Sequence, residues 1–168
     1  MTKKTIETER LILRPLTIAD AQDVFEWTGD EIVNKYMPYP VHKDVKQSAE
    51  WISSLGDKNE FGFCLRTTGK VIGAGSVVYR EEYEAYELGY NLNCTFWGLG
   101  YATEASKAMI RWAYETLGAH DFMARHVTKN VASANVIKKC GFQFERFGQY
   151  ARYDGTMMDA SYYSLHLE

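Results

Sequence analysis

The spacing of apolar residues changes several times along this chain, and each change marks an element. Leu11-Ile12-Leu13-Arg14 is a short apolar run stopped by Pro15, which reads as a first strand. Thr17-Ile18-Ala19-Asp20 has the form of a capping box, whose hydroxyl and carboxylate satisfy orphan amides at a helix start. The helix it opens runs to about Thr28, with Ile18, Ala21, Val24 and Phe25 on one face. Pro38-Tyr39-Pro40 keeps the following segment extended. Asp44 to Leu55 carries Val45, Ala49, Ile52 and Leu55 at helical spacing and stops at Gly56.

The middle of the chain alternates instead. Phe61 to Arg66 and Val71 to Tyr79 read as strands around a turn at Thr68-Gly69-Lys70, and Tyr86 to Leu92 as another. After Trp97-Gly98-Leu99-Gly100-Tyr101-Ala102 a strong helix begins. Its stripe is Ala105, Ala108, Met109, Trp112, Ala113 and Thr116/Leu117, ended by Gly118. His120 to Thr128 predicts a strand, Ala132 to Cys140 a short helix closed by Gly141, and Phe142 to Leu167 a hairpin turning at Asp154-Gly155. Hairpins first and crossovers later argue for an α+β domain on a mixed sheet.

Composition narrows the partners. The 168 residues fit one domain, residues 1–168, with no linker-like tract. Nineteen Lys and Arg against 22 Asp and Glu give a net charge of −3, without the basic footprint of a nucleic-acid or membrane-surface binder. No apolar stretch reaches the ~18 residues of a membrane span. Met1 to Glu7 lacks the apolar run of a signal peptide, so a cytoplasmic protein is expected. Cys64, Cys94 and Cys140 give no disulfide framework or CxxC pair, and the four histidines no metal-ligand spacing; no metal is expected.

The informative segment is the glycine loop. Glycines between a strand and a helix let the backbone approach a ligand, and the helix N-terminus offers unpaired N–H groups to a phosphate. The same glycines also suit a plain turn. A Walker loop would need Gly-Lys-Ser/Thr, which is absent. A dinucleotide fingerprint from Gly98 meets Thr103 where Gly or Ala belongs; Asp121 has about the right spacing for the ribose acid, but the upstream hairpins are the wrong context.

Four stretches together resemble the GNAT superfamily of N-acetyltransferases: Thr8 to Leu16, Glu87 to Leu92, Phe96 to Ala105, and Asn130-Val131-Ala132-Ser133 with Val136, Lys139, Gly141 and Phe142. More narrowly, they resemble the branch of the ribosomal-protein N-terminal acetyltransferases RimJ and RimL. The resemblance implies a GNAT-like acyl-CoA N-acyltransferase fold, a central twisted mixed sheet of about six to seven strands with about four helices. It implies acetyl-CoA as co-substrate and a primary amine as acceptor, either a protein N-terminus or a small amine. It places the CoA pyrophosphate on the amides of Trp97, Gly98, Leu99, Gly100, Tyr101 and Ala102, pantetheine along Tyr90 and Leu92, and further cofactor contacts at Asn130 and Ser133. Trp97 departs from the Gln or Arg of the general pattern, and Ile137 stands where many members carry a tyrosine acid.

Ser133 is the candidate for stabilising the departing thiolate, against the alternative that Asn130 or Ser133 simply caps the helix. Glu87, on the strand beside the thioester, is the candidate base, against the alternative of an outward-facing carboxylate. Glu104 is the second candidate, against a first-turn acid complementing the helix dipole. Tyr79, Glu81, Glu82, Tyr83, Glu84, Tyr86 and Glu87 form an acidic, aromatic stretch that suits either a cation-attracting rim or a solvated hairpin. Trp27, Tyr36, Met37 and Tyr39 fall where this family shapes its acceptor pocket. Terminal strands and aromatics are compatible with a homodimer. The competing function is a catalytically weak acyl-CoA-binding or interaction module on the same fold, which Ile137 keeps open.

Overall fold

A computed structural model describes residues 4–56 and 58–168. Met1 to Lys3, part of the N-terminal stretch considered above, lie outside them. The elements run β1 (Ile6–Glu7), β2 (Leu11–Arg14), α1 (Ala21–Thr28), α2 (Val45–Ser54), β3 (Glu60–Leu65), β4 (Val71–Arg80), β5 (Ala85–Leu92), α3 (Tyr101–Leu117), β6 (Asp121–Val127), α4 (Val131–Lys139), β7 (Gln143–Ala151) and β8 (Met157–His166). They build one eight-stranded sheet in the order β1-β2-β3-β4-β5-β6-β8-β7. The expected α+β class holds, with one strand more than the upper count expected. The extra strand is the two-residue β1, paired with Leu13 and Ile12 and too short to show a period.

Every strand pair is antiparallel except β5 with β6. That parallel pairing lasts for two residue pairs, Tyr86 with Phe122 and Glu87 with Met123. β5 continues to Leu92 along β4, so its far half has no strand beside it on the β6 side.

The sheet is packed on both faces. On one, Leu11, Leu13, Phe61, Phe63, Ile72 and Leu88 meet Ala105, Met109 and Ala113 of α3 and Ile137 of α4. On the other, Ala21, Val24 and Trp27 of α1 and Ile52 of α2 cover Cys64, Val71 and Ala74. Burying apolar area at about 25 cal/mol per Å² makes these two layers the main source of stability.

Local signals placed most helix ends. Asp20 accepts from the Thr17 N–H at 2.8 Å, and Asp44 caps α2 by accepting from Gln47 N–H at 2.9 Å. Two stripes need correction. Ile18, expected on the buried face of α1, is 63% exposed because Ile18–Asp20 is a 3-10 turn, which rotates each residue further than an α-helix does. Trp27 is buried in its place. Leu117 is exposed, and the chain turns at Gly118 to bury Ala119 instead; Ile110 joins the buried stripe of α3.

Candidate active site

The glycine loop links β5 to α3. Gly98 and Gly100 have φ of 74° and 84°, a region that L side chains rarely adopt, so the turn depends on glycine at both. Gly100 is the N-cap of α3, and the first helical bond is Glu104 N–H to Gly100 C=O at 3.0 Å. The N–H groups of Gly98 through Thr103 find no acceptor among the described residues. Arg10 sets their direction. Its Nη1 donates to Leu99 C=O at 2.8 Å, and its guanidinium stacks 4.1 Å from the Tyr101 ring centre. C=O and N–H of one trans peptide point oppositely, so the Gly100 N–H faces away from Arg10.

Glu104 accepts from the Thr8 hydroxyl at 2.7 Å, from Arg10 N–H at 2.8 Å and from Arg10 Nε at 2.7 Å. Burial pushes its carboxyl pKa up, but these bonds outweigh that and hold it below the ordinary value. It therefore anchors the β1–β2 turn to the first turn of α3. Trp97, although 47% exposed, is tied to the chain before it. Its backbone N–H donates to Cys94 C=O at 3.2 Å and its indole Nε1 to Leu92 C=O at 2.9 Å.

The unpaired half of β5 comes next. Asn93 N–H donates to Ile72 C=O of β4, so by strand alternation the backbone groups of Tyr90 and Leu92 face the opening toward β6. Leu92 already has partners there, the Trp97 indole on its carbonyl and Asn91 Oδ1 on its N–H. Tyr90 is the position whose backbone stands open. Across the gap, Asn130 caps α4, its Oδ1 accepting from Ser133 N–H at 3.2 Å. That frees the Ser133 hydroxyl, which lies 2.8 Å from the Tyr90 hydroxyl. Burial pushes the Tyr90 phenol well up, so it stays protonated. Ile137 is buried beside them.

A cleft of about 480 Å³ opens from this gap onto the α1–α2 face of the sheet. Trp27, Tyr36, Met37 and Tyr39 all line it, as do Tyr90, Asn130 and Ser133, whereas the 97–102 loop stands outside it. Glu87 is within the cleft wall, with Oε1 3.5 Å from Arg80 and Oε2 3.7 Å from Arg125. The rest of the acidic stretch is largely solvent-facing: Glu81, Glu82 and Glu84 are exposed.

Sequence reasoning missed Glu60, and it named Tyr39 and Tyr90 through the family resemblance without the contacts of their hydroxyls. Glu60 starts β3 and lines the cleft; burial pushes its carboxyl up to about 7. The Tyr39 hydroxyl accepts from Asn91 Nδ2 at 3.1 Å, while the same amide reaches Asn34 Oδ1 at 3.2 Å. Such contacts leave no local signal, because each depends on a partner distant in sequence.

Residues 10–143 match the family described as "Acetyltransferase (GNAT) domain". The chain is 31% identical over 166 residues to the "Uncharacterized N-acetyltransferase YnaD" of Bacillus subtilis (strain 168), covering 97% of this chain and 96% of that one. An acetyltransferase structure of the GNAT family from Bacillus anthracis superposes with a TM-score of 0.89 at 24% identity, over 96% of this chain and 98% of that one. The microcin C7 self-immunity acetyltransferase MccE, solved in complex with acetyl-CoA and AMP, gives 0.80 at 20% identity, over 95% and 94%. The chain belongs to the GNAT acetyltransferase family, whose members take their acetyl group from acetyl-CoA, and it is an N-acetyltransferase.

Proposed function

We propose that the enzyme moves the acetyl group of acetyl-CoA to a primary amine, a protein N-terminal α-amine or a small-molecule amine, by direct attack in a ternary complex. The observation that carries this reading is the early divergence of β5 from β6 beside a left-handed glycine turn with free amides. The amides from Gly98 to Ala102 suit the diphosphate, at the positive end of the α3 dipole. The open Tyr90 backbone suits pantetheine, added to β5 like a strand. Leu92 and Trp97 contribute through side-chain and backbone bonds that fix the edge, and Asn130 by holding α4. The four matching stretches support the RimJ/RimL-like branch.

Holding amine and thioester together supplies most of the rate. An α-amine with pKa ≈ 7.7–8.0 is roughly a tenth neutral at pH 7, against well under a thousandth of lysine amines, so it asks little of a base. At the other end, Ser133 and Tyr90 meet the developing thiolate. Tyr90 offers the phenolic proton that Ile137 cannot, which weakens the case for an inactive binding module. Glu87 fixes Arg80 and Arg125 in the wall. The test is thiol release from acetyl-CoA against peptide N-termini, polyamines, amino acids and aminoglycosides, with CoA and NAD titrations alongside. CoA binding and amine-dependent thiol release are expected; CoA binding without thiol release for any amine would reduce the protein to a binding module.

A further inference from the structure

Glu60 belongs to a row that crosses three strands. It pairs with Ser76 of β4, and Ser76 pairs with Gly89 of β5. Directly paired residues share a face, and all three line the cleft. The Ser76 hydroxyl lies near enough to the Glu60 carboxyl to favour its ionised form against the push of burial. A Cβ built on Gly89 would touch Ser76 Oγ alone, at 3.6 Å, so open space connects the β5 edge to that hydroxyl. Glu87 lies two residues from Gly89 on the same face but between two guanidinium groups. A third cation placed there meets a local excess of positive charge, whereas Glu60 forms no ion pair with either guanidinium and has Lys58 as the one charged group acting on it.

We propose that Glu60 and Ser76 form the acceptor-ammonium site, Ser76 contacting the ammonium and Glu60 receiving its proton through that hydroxyl. The proposal rests on the acetyl-transfer reading above. The aromatic walls of Trp27, Tyr39 and Trp51 suit a cation and exclude water. A carboxyl that titrates near neutrality matches the task of accepting a proton at physiological pH. Lys58, before its own strand, is the charged group that acts on Glu60; the other charged or titratable side chains lining the cleft are Tyr36, Tyr39 and His42 from the α1–α2 connection, Arg80 from β4, Glu87 and Tyr90 from β5, Arg125 and His126 from β6 and Tyr150 from β7.

The protons balance. One ammonium proton passes to Ser76 Oγ as the Ser76 proton passes to Glu60, leaving a neutral amine. Its lone pair forms the C–N bond, and the C–S bond breaks with its electrons on sulfur. Tyr90 gives the thiolate a proton and is refilled by the one the new amide nitrogen loses. Glu60 returns its proton to solvent. The products are one amide, one thiol and one released proton.

Glycinamide, a minimal α-amine, is the probe. In the full chain labelled with ¹³C at glutamate Cδ, Glu60 is identified by the loss of its signal in Glu60→Gln. Its titration midpoint should lie near neutrality and move down when glycinamide is added, because a nearby cation favours the carboxylate. A midpoint in the ordinary carboxylate range, or one that glycinamide leaves in place, overturns the proposal whether or not turnover occurs. In thiol-release assays with acetyl-CoA, Glu60→Gln should lower kcat/KM about tenfold at pH 7, leaving only the tenth of the α-amine already neutral there, and move the low-pH limb up to the ionisation of the amine itself, with Glu60→Asp partly restoring both. An unchanged limb in Glu60→Gln, or its loss in Glu87→Gln instead, also overturns it. A shifted midpoint without any thiol release would defeat the acetyl-transfer reading while leaving the ammonium site standing.

Discussion

The Tyr90 hydroxyl sits 2.8 Å from the Ser133 hydroxyl oxygen, joining β5 to α4 across the gap where β6 has turned away. Because Asn130 performs the capping of α4, the two roles that sequence left merged at Ser133 are separable. Ser133→Ala should keep the helix and CoA affinity within about twofold while lowering kcat ten- to a hundredfold, read by CoA titration and thiol release. Equal losses in affinity and turnover would reduce the hydroxyl to a structural contact.

Gly100→Val tests the loop. The backbone at φ 84° disfavours any β-branched residue, at a cost of about 1–2 kcal/mol. The added side chain also meets Arg10 Nη2 at 3.4 Å and crowds the amides. CoA affinity should fall at least tenfold by calorimetry, with the far-ultraviolet dichroism of the fold preserved. Unaltered affinity would move the diphosphate elsewhere.

Glu104→Ala leaves the Thr8 hydroxyl, the Arg10 amide and the Arg10 guanidinium without their acceptor. Losing those partners should cost about 2–3 kcal/mol, seen as a lower urea midpoint at unchanged slope. The Glu104 pKa is lowered in the folded protein, so its stabilisation is present above the unfolded carboxylate pKa and disappears as pH falls through the folded one. Wild type and variant should therefore draw closer in stability as pH falls below the ordinary carboxylate range.

Glu60 has the opposite sign. Its folded pKa of about 7 stands above the unfolded value of 4.5, so the folded chain holds the extra proton between those limits. Stability should decline as pH rises from about 5 to 7 and level off above. Glu60→Gln should remove that decline and be the more stable protein at pH 8 by roughly 2–3 kcal/mol, measured by urea unfolding across pH. A parallel pH dependence in both proteins would contradict the burial of this carboxyl.

Much of this architecture was legible because it is local. The Asp44 cap, the Asp154-Gly155 turn, the stripe from Ala105 to Ala113 and the glycine loop each declare themselves within a few residues. Ile18 misled because a periodicity argument assumes α geometry and the chain opens with a tighter turn. Glu104 is the first-turn acid its position suggested, but its anchoring role stayed hidden because its partners, Thr8 and Arg10, lie more than 90 residues away. Glu60 was invisible for the same reason: one acid at a strand start means nothing until register sets Ser76 and Gly89 beside it.

The two-rung contact between β5 and β6 also has a mechanical meaning. β6, β8 and β7 join the remainder of the sheet through Tyr86–Phe122, Glu87–Met123, the helices packed beneath and the bonds of Tyr150, Arg152 and Tyr153 to the backbone of Tyr36, Met37 and Pro38. A cofactor laid along Tyr90 would act as mortar in that seam. The seam's two leaves should breathe against each other until the donor locks them, making donor loading as much a stiffening event as a chemical one.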